Sequence, residues 1–367
     1  MKIKAIRSHL LEKKLEKGMR ISRGGFTVRH HCIVEVITDE GVVGLGEGIG
    51  TAKLIHAILP VISEWVIGKD PTDIEQIRKH LFENQVYFEL KGSVVCAASA
   101  IEMACWDILG KIKNVPVWKL LNSKKIKNEL ALYASNVYWE ESPSDMVTQV
   151  EEILKQGIKT IKAHIGAAPP DKEQPRIEAM LASLKNTGQL MLDLNAGYDF
   201  EAAQNAFKLW DKYDLYWIEE PLSPFEQHRN KELKKLGRHK IAGGENEFRL
   251  AGFSEAINKN CFDYVMPDLG RAGGLIESKN ICELAIRNGL IASPHCYSSG
   301  VLLAATIHMM AATEKVDLLE WDASNNAVYH DFFVTPLEVQ NGLVKIPENP
   351  GFGIELSQSI LKHFKIA

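Results

Sequence analysis

The stretch "LMLDLN" (residues 190–195) is a short apolar run; a helical segment follows it from about Tyr198, and "LYWIEEP" (215–221) is a second run of the same kind. Read as strand–helix–strand, this unit decides the fold, because the same alternation continues in both directions. Downstream come "KIAGGE" (240–245), "FDYVMPD" (262–268), "LIASPH" (290–295) and "VDLLEW" (316–321), with helical segments near 225–237, 249–258, 273–288 and 299–313 between or before them. Upstream lies "IKTIKAHI" (158–165), with a helix near 171–186 after it. Before that stands "ELALYASNV" (129–137), followed by "SPSDMVTQVEEILKQG", a helix that opens on Ser/Pro and closes on Gly157. Alternating β and α units imply parallel strands with helical crossovers. Eight of them in about 200 residues predict an α/β fold of the (β/α)8 barrel type. A doubly wound open sheet is the competing arrangement.

The first 125 residues differ in pattern. "KAIRSHLLEKKL" (4–15) and "HHCIVEVITDEGVVGLGE" (30–47) read as antiparallel strands, the latter a pair joined at Asp39-Glu40-Gly41. Helical segments follow, including "VVCAASAIEMACWDILGKI" (94–112), and the tail with "LEVQNGLVKIPENPGFGIEL" (337–356) is again turn- and strand-rich. The expected organisation is an α+β capping domain over 1–125, a barrel over 126–329, and a tail, 330–367, that returns to the cap. The string "GLGEGIG" (44–50) lacks the third glycine of a dinucleotide fingerprint, since Ile49 stands there. It is read as a loop folding over the barrel mouth.

Composition narrows the function classes. Of 367 residues, 43 are Lys or Arg and 47 are Asp or Glu, a formal charge of −4 that favours no polyanionic partner such as nucleic acid. The run Lys124, Lys125, Lys127 is read as a solvated linker. Six cysteines lie scattered without C-x-x-C pairs, which argues against a structural zinc site or a disulfide framework. The N-terminus has no apolar leader and no stretch is an uninterrupted membrane-length apolar run, so a cytoplasmic protein with no membrane partner is expected.

In a barrel of this type the active site lies at the C-terminal ends of the strands. Lys162 and His164 end the second strand, and Asp193 and Asn195 the third. Glu219, Glu245, Asp268, His295 and Glu320 end the next five, at steps of 26, 26, 23, 27 and 25 residues from Asp193. Asp193, Glu219 and Glu245, on neighbouring strands, repel one another unless a cation sits between them, and oxygen-only ligation suits Mg2+. Any one of them could instead be a helix cap or a surface ion pair; three in register are harder to explain so. Asp268 and His295 end adjacent strands, where a carboxylate can fix the imidazole tautomer and raise its basicity.

"LDLN", "IEEP", "GGEN", "MPDLGRAGG", "SPH" and "LLEW", in this order and at these intervals, resemble the mandelate racemase subgroup of the enolase superfamily. "SAIEMACWDILGK" resembles that family's cap signature, with Glu102 where aspartate is more usual, and "NPGFGIEL" its closing segment. The resemblance implies metal ligands at Asp193, Glu219 and Glu245, an Asp268–His295 acid/base dyad, and Glu320 as hydrogen-bond donor to a substrate carboxylate. It also implies removal of the proton α to that carboxylate, with Mg2+ and Lys162 spreading the developing charge of an enediolate. Dehydration of a sugar acid is the first reading of that enediolate's fate. A sugar-lactone cycloisomerase, a racemase or epimerase of a hydroxy acid, and a non-catalytic sugar-acid binder are the alternatives. Asn195, Arg20 and Arg23 are candidates for substrate binding, the two arginines with Arg29 in the segment "GMRISRGGFTVRHH" (18–31), whose other reading is a solvated loop. A homo-oligomer acting on a small carboxylate is expected.

The departure from the family pattern is "TIKAHI": where K-x-K is usual, this chain has Lys162-Ala163-His164. Strand alternation puts both side chains on one face. His164, with an unperturbed pKa of about 6.5, is then a candidate acid/base opposite His295; the alternative is that it orients a ligand or a water.

Overall fold

The computed structural model describes residues 1–122, 127–185 and 187–367. Lys124, Lys125 and the expected boundary between residues 125 and 126 therefore lie outside the described residues.

The chain opens with a long antiparallel hairpin, β1 (Ile3–Ile21) against β2 (Gly24–Thr38), and turns at Asp39–Gly41 into β3 (Val43–Gly48). The segment 18–31, read from sequence as a loop, is thus the tip of this hairpin. Helices α1 (Ala52–Glu64), α2 (Ile74–Phe82), α3 (Ser93–Lys113) and α4 (Val117–Leu121) follow.

The glycine string also differs from its expected role as a mouth loop: it is strand β3 and one more turn. Gly44, Gly46 and Gly48 share one face of that strand, and α3 presses on it with Cys96, Ala100 and Ala104, spaced one helical turn apart. A Cβ on the three glycines would lie 2.0 Å from the Ala104 carbonyl oxygen, 1.9 Å from that of Ala100 and 2.9 Å from that of Cys96. Only glycine lets the two backbones approach so closely. Helix α3 is long and apolar enough to cross a membrane by length and composition, but its apolar residues are spent on the cap's core.

From β4 (Glu129–Val137) the chain alternates: α5 (Pro143–Leu154), β5 (Thr160–His164), α6 (Pro170–Leu184), β6 (Gln189–Asp193), α7 (Phe200–Trp210), β7 (Leu215–Glu219) and short α8 (Asn230–Leu233). Then come β8 (Ile241–Gly243), α9 (Arg249–Asn258), β9 (Tyr264–Val265), α10 (Leu269–Ala272), α11 (Leu275–Arg287), β10 (Ile291–Ala292), α12 (Gly300–Ala311) and β11 (Leu319–Trp321). The ladders between β4 and β10 are parallel and in sequence order, and β11 returns to pair with β4, giving the (β/α)8-type barrel. Among the described residues no continuous ladder joins β10 to β11. That seam is held by a single bridge, Ala292–Val316, and by the Asp317 amide donating to the Ala292 carbonyl at 2.8 Å. After β11 only one helical turn, α13 (Ala327–His330), stands where an eighth outer helix would be.

Tyr133, Met191, Trp217, Ala242, Tyr264 and Met266 form a separate cluster that plugs the barrel, with Tyr133 edge-on to Trp217 at 5.3 Å. The tail divides. Strands β12 (Val339–Gln340) and β13 (Leu343–Lys345) extend the sheet antiparallel from the start of β4, whereas α14 (Gln358–Phe364) packs on β1 of the cap. Between them, the closing segment is pinned by the buried Asp107 carboxylate of α3, which accepts from the Phe352 amide at 2.8 Å and the Leu45 amide at 3.0 Å.

Two further buried cap carboxylates reach into the barrel. Glu102 of α3 accepts from the Leu275 amide (2.7 Å) and the Ile276 amide (3.3 Å), the first turn of α11. Glu47 of β3 accepts from Ser298 Oγ (2.6 Å), Ser299 Oγ and the Ser299 and Leu302 amides, the first turn of α12. A helix N-terminus presents unpaired N–H groups and partial positive charge, so a carboxylate satisfies both.

Candidate active site

Strand alternation explains which side chains reach the mouth. Met191 and Trp217 belong to the interior plug, so Asp193 and Glu219, two residues on, point the same way. Register then aligns them: His164 is level with Asp193, and Asp193 with Glu219. Glu245 follows β8 by two residues, Asp268 caps α10 through the Gly270 amide (2.8 Å), and His295 and Glu320 end the circuit.

Lys162 is the central cation and is 1% exposed. Its Nζ lies 2.9 Å from Glu320 Oε1, 3.0 Å from Glu219 Oε1 and 3.4 Å from Asp193 Oδ2. Burial opposes its charge, but Glu219 and Glu320 hold its pKa well above the usual range. Burial would raise Glu320, yet Lys162 and His295 hold it well below the normal carboxylate range, and it also accepts from the Cys296 amide at 2.8 Å. The donor role implied for Glu320 would need it to take up a proton against that pull. Glu219 and Glu245 are pushed the other way: burial and the neighbouring carboxylates raise both.

On one side, Asp268 Oδ2 lies 2.7 Å from His295 Nδ1, while His295 Nε2 lies 3.1 Å from Glu245 Oε2. Burial opposes the imidazolium, but Glu320, Glu245 and Asp268 together raise its pKa well above 6.5. On the other side, His164 Nδ1 lies 2.8 Å from Asn195 Oδ1 and its ring is stacked on Tyr138, centroids 5.0 Å apart and planes within 12°. With Nδ1–H donating to Asn195, the neutral form of the His164 ring has its lone pair on Nε2. That nitrogen is buried and makes no hydrogen bond. Asn195 is fixed in turn, with φ at +42° and its amide donating to Asp193 Oδ1 at 2.8 Å.

A cavity of about 150 Å3 brings Lys162, His164, Asp193, Asn195, Glu245, His295 and Glu320 onto one wall. Glu219 and Asp268 stand just behind it. Arg20 and Arg23 do not line it. Arg20 shares neither face nor target with Ile21, which does: alternation turns Arg20 outward, where its guanidinium lies 4.0 Å from the Trp139 ring and 3.9 Å from Glu141. Arg23 sits at the hairpin turn and faces a different groove, with Lys91 and Arg271. The tip still docks on the barrel, since Ser22 Oγ donates to the Leu194 carbonyl at 2.6 Å. It delivers Ile21 and Phe26, which, with Tyr138 and Tyr297, make the wall facing the polar one.

Those four residues went unread in the sequence, as did Glu220 and Asn246. Asn246 Nδ2 donates to both Glu220 oxygens, at 3.0 and 2.9 Å. The doubled acid in "IEEP" and the asparagine in "GEN" were the available signals for that pair. Nothing marked Tyr138 or Tyr297 beyond their places one and two residues past strand-end positions.

Among the described residues no three His, Cys, Asp or Glu side chains stand converged on a cation site. Glu219 is instead turned to Lys162 and to Trp217 Nε1 (3.2 Å), and Glu245 to His295. The donor set nevertheless fits a hard divalent ion: three oxygen ligands on adjacent strands, crowded enough to push two of their pKa values up, with only Lys162 and His295 to offset them.

Comparison with known proteins identifies the family. Residues 5–122 match the family model described as the mandelate racemase/muconate lactonizing enzyme N-terminal domain, and residues 145–360 the one described as enolase C-terminal domain-like. D-galactarolactone cycloisomerase of Agrobacterium fabrum is 30% identical over 380 aligned positions, covering 100% of this chain and 99% of that one. The crystal structure of 3,6-anhydro-D-galactonate cycloisomerase from Zobellia galactanivorans superposes with a TM-score of 0.91 at 28% identity, covering both chains completely. A racemase from Streptomyces coelicolor, solved with bound magnesium, gives 0.90 at 25% identity over 99% of this chain and all of that one. Relatives at 25 to 27% identity also include dehydratases of arabinonate, D-xylonate and D-galactonate.

Proposed function

Because the chain belongs to the mandelate racemase/muconate lactonizing enzyme family of the enolase superfamily, we propose that it is a Mg2+-dependent enzyme that removes the proton α to a sugar acid's carboxylate and expels an oxygen from the β-carbon, opening a ring. The observation that carries this reading is the pair of imidazoles on one cavity: His164 with its unpartnered Nε2, and His295 on its Asp268 support. One takes the α-proton; the other gives a proton to the departing oxygen.

Asp193, Glu219 and Glu245 would hold the Mg2+, which when bound supplies Lewis-acid charge to the substrate carboxylate. Lys162 takes that carboxylate's other side. To do so it exchanges Glu219 and Glu320 for the substrate oxygen, and its fixed charge favours the enediolate over the starting acid. Tyr138 and Asn195 hold the His164 ring at its face and at Nδ1, so that Nε2 points to the cavity.

Ring opening takes precedence over the dehydration put first from sequence, because the full-length relative at 30% identity and the full-length solved neighbour are both cycloisomerases. Dehydration is the second reading, supported by the dehydratases among the relatives. The test is incubation with sugar acids, their anhydro forms and their lactones in D2O, with Mg2+ or with chelator, and then NMR and mass spectrometry. A deuterated product isomeric with its substrate supports ring opening, and loss of water supports the second reading. No α-exchange on any substrate, or exchange that survives chelation, refutes the proposal.

A further inference from the structure

Resting on that reading, we propose that the ring this site opens is a cyclic ether, so that the substrate is an anhydro sugar acid with a single acidic group, and not a lactone. The two ring types differ in what leaves. A lactone's ring oxygen departs as a carboxylate, which needs no proton but adds a second negative charge to the site. An ether's ring oxygen departs as an alkoxide, which must be protonated as it leaves and adds no charge.

The polar wall fits the ether. The Cα–H bond breaks and its proton goes to one imidazole; its electron pair forms the Cα–Cβ double bond as the Cβ–O bond breaks. That bond's electrons go to the ring oxygen, which takes a proton from the other imidazole and becomes a hydroxyl. The enol so formed tautomerises to a 2-keto acid. In that last step the enol hydroxyl gives up its proton and Cβ takes one; no net oxidation or reduction occurs and no water enters or leaves, and the two transfers of the ring-opening step fall to the two histidines.

The opposite wall disfavours the lactone's product. With the substrate carboxylate at Lys162, the rest of the molecule meets Ile21, Phe26, Tyr138 and Tyr297, and among the described residues this wall carries no cation. The nearest arginine of the hairpin is committed elsewhere: Arg29 lies 4.4 Å from the Tyr297 ring, donates to the Tyr297 carbonyl at 3.1 Å and pairs with Asp322 at 3.5 Å. Arg20 and Arg23 face away. A carboxylate released here would be buried without a cation to pair with. What the wall does offer suits a neutral ring. Phe26 and Tyr138 meet edge to face at 6.2 Å and give an apolar surface for C–H groups. The Tyr138 hydroxyl donates to that of Tyr297 at 3.0 Å, which leaves the Tyr297 proton for a substrate oxygen. The cavity, about 150 Å3, is small beside the usual 300–1,000 Å3 of ligand pockets.

The test measures kcat/KM of the Mg2+-loaded enzyme on two probes, a 3,6-anhydrohexonate and a hexaro-1,4-lactone, with α-proton exchange in D2O monitored by NMR on each. The expected result is a preference for the ether of at least about 100-fold. Ile21→Arg, which adds a cation to the apolar wall, should narrow that ratio by raising lactone turnover. Equal or faster turnover of the lactone by the wild type, or an unchanged ratio in a folded Ile21→Arg variant, overturns the inference while leaving the eliminating site intact. Absence of exchange and turnover on both probes overturns this inference and the proposed function together.

Discussion

His308 offers a perturbation whose size can be worked out from the structure. It lies fully buried on α12, where its Nδ1 accepts from the Trp118 amide of α4 at 3.2 Å. Burial lowers its pKa from 6.5 to about 4. The folded protein therefore keeps the ring neutral, whereas the unfolded chain protonates it below pH 6.5. Between pH 6.5 and 4 the unfolded state binds more protons, so stability falls with falling pH, and above pH 6.5 the group contributes no pH dependence. At 1.36 kcal/mol per pH unit between 6.5 and about 4, the loss reaches about 3 kcal/mol by pH 4, a large part of a typical stability of 5–15 kcal/mol. Urea unfolding of wild type and His308→Gln, both in chelator, across pH 4–7 isolates the effect, because the carboxylates and the other histidines titrate in both. The stability of wild type relative to the variant should fall by about 3 kcal/mol from pH 7 to pH 4. A difference that stays constant over that range would show that His308 is free to protonate in the fold, and the burial argument would be wrong.

Gly46→Ala should destabilise the cap by about 3 kcal/mol in denaturant unfolding, because the new Cβ would meet the Ala100 carbonyl at 1.9 Å and backbone must move. Asp193→Asn, Glu219→Gln and Glu245→Gln should each lower Mg2+-dependent turnover by at least about 100-fold and weaken Mg2+ binding measured by calorimetry; full activity in chelator would contradict the assignment. His164→Gln and His295→Asn should abolish different halves of the reaction, one the α-proton exchange and the other the release of the β-oxygen, as read by NMR in D2O. Tyr138→Leu should cost roughly 10-fold in kcat through loss of the stacked ring on His164, with Tyr138→Phe close to wild type.

The strand ends were legible because a barrel repeats: once "LMLDLN" and "LYWIEEP" are strands, period-two alternation and a βα unit of about 25 residues carry Asp193 and Glu219 to the same rim. The glycine string was misread because its meaning is tertiary. Nothing local distinguishes a loop over the mouth from a strand whose glycines admit α3, and only Cys96, Ala100 and Ala104, about fifty residues away, decide it. The outward placement of Arg20 was hidden for a similar reason. A charge near a predicted site says nothing of which face of a hairpin it occupies, and one step of alternation exchanged it for Ile21. Tyr138 and Tyr297 carry no motif, since an aromatic that stacks on an imidazole is chosen by shape, not by spacing. Glu220 was hidden by Glu219, its neighbour on the opposite side of the strand.

Glu47 and Glu102 set terms for any attempt to recombine this protein with its relatives. The helices that they terminate, α12 and α11, come after the strand ends that bear His295 and Asp268, so the acid/base dyad is braced by carboxylates belonging to the other half of the chain. A chimaera that keeps this barrel and imports a foreign cap inherits the substrate wall of the donor, but it also inherits an obligation. Unless the donor places acidic side chains at both positions, the first turns of two helices lose a carboxylate acceptor beneath the interface, and the loops between the dyad and those helices lose their anchor. Specificity in such a scaffold can be exchanged at Ile21 and Phe26 one residue at a time; the cap as a whole can be exchanged only together with the helix ends that it closes.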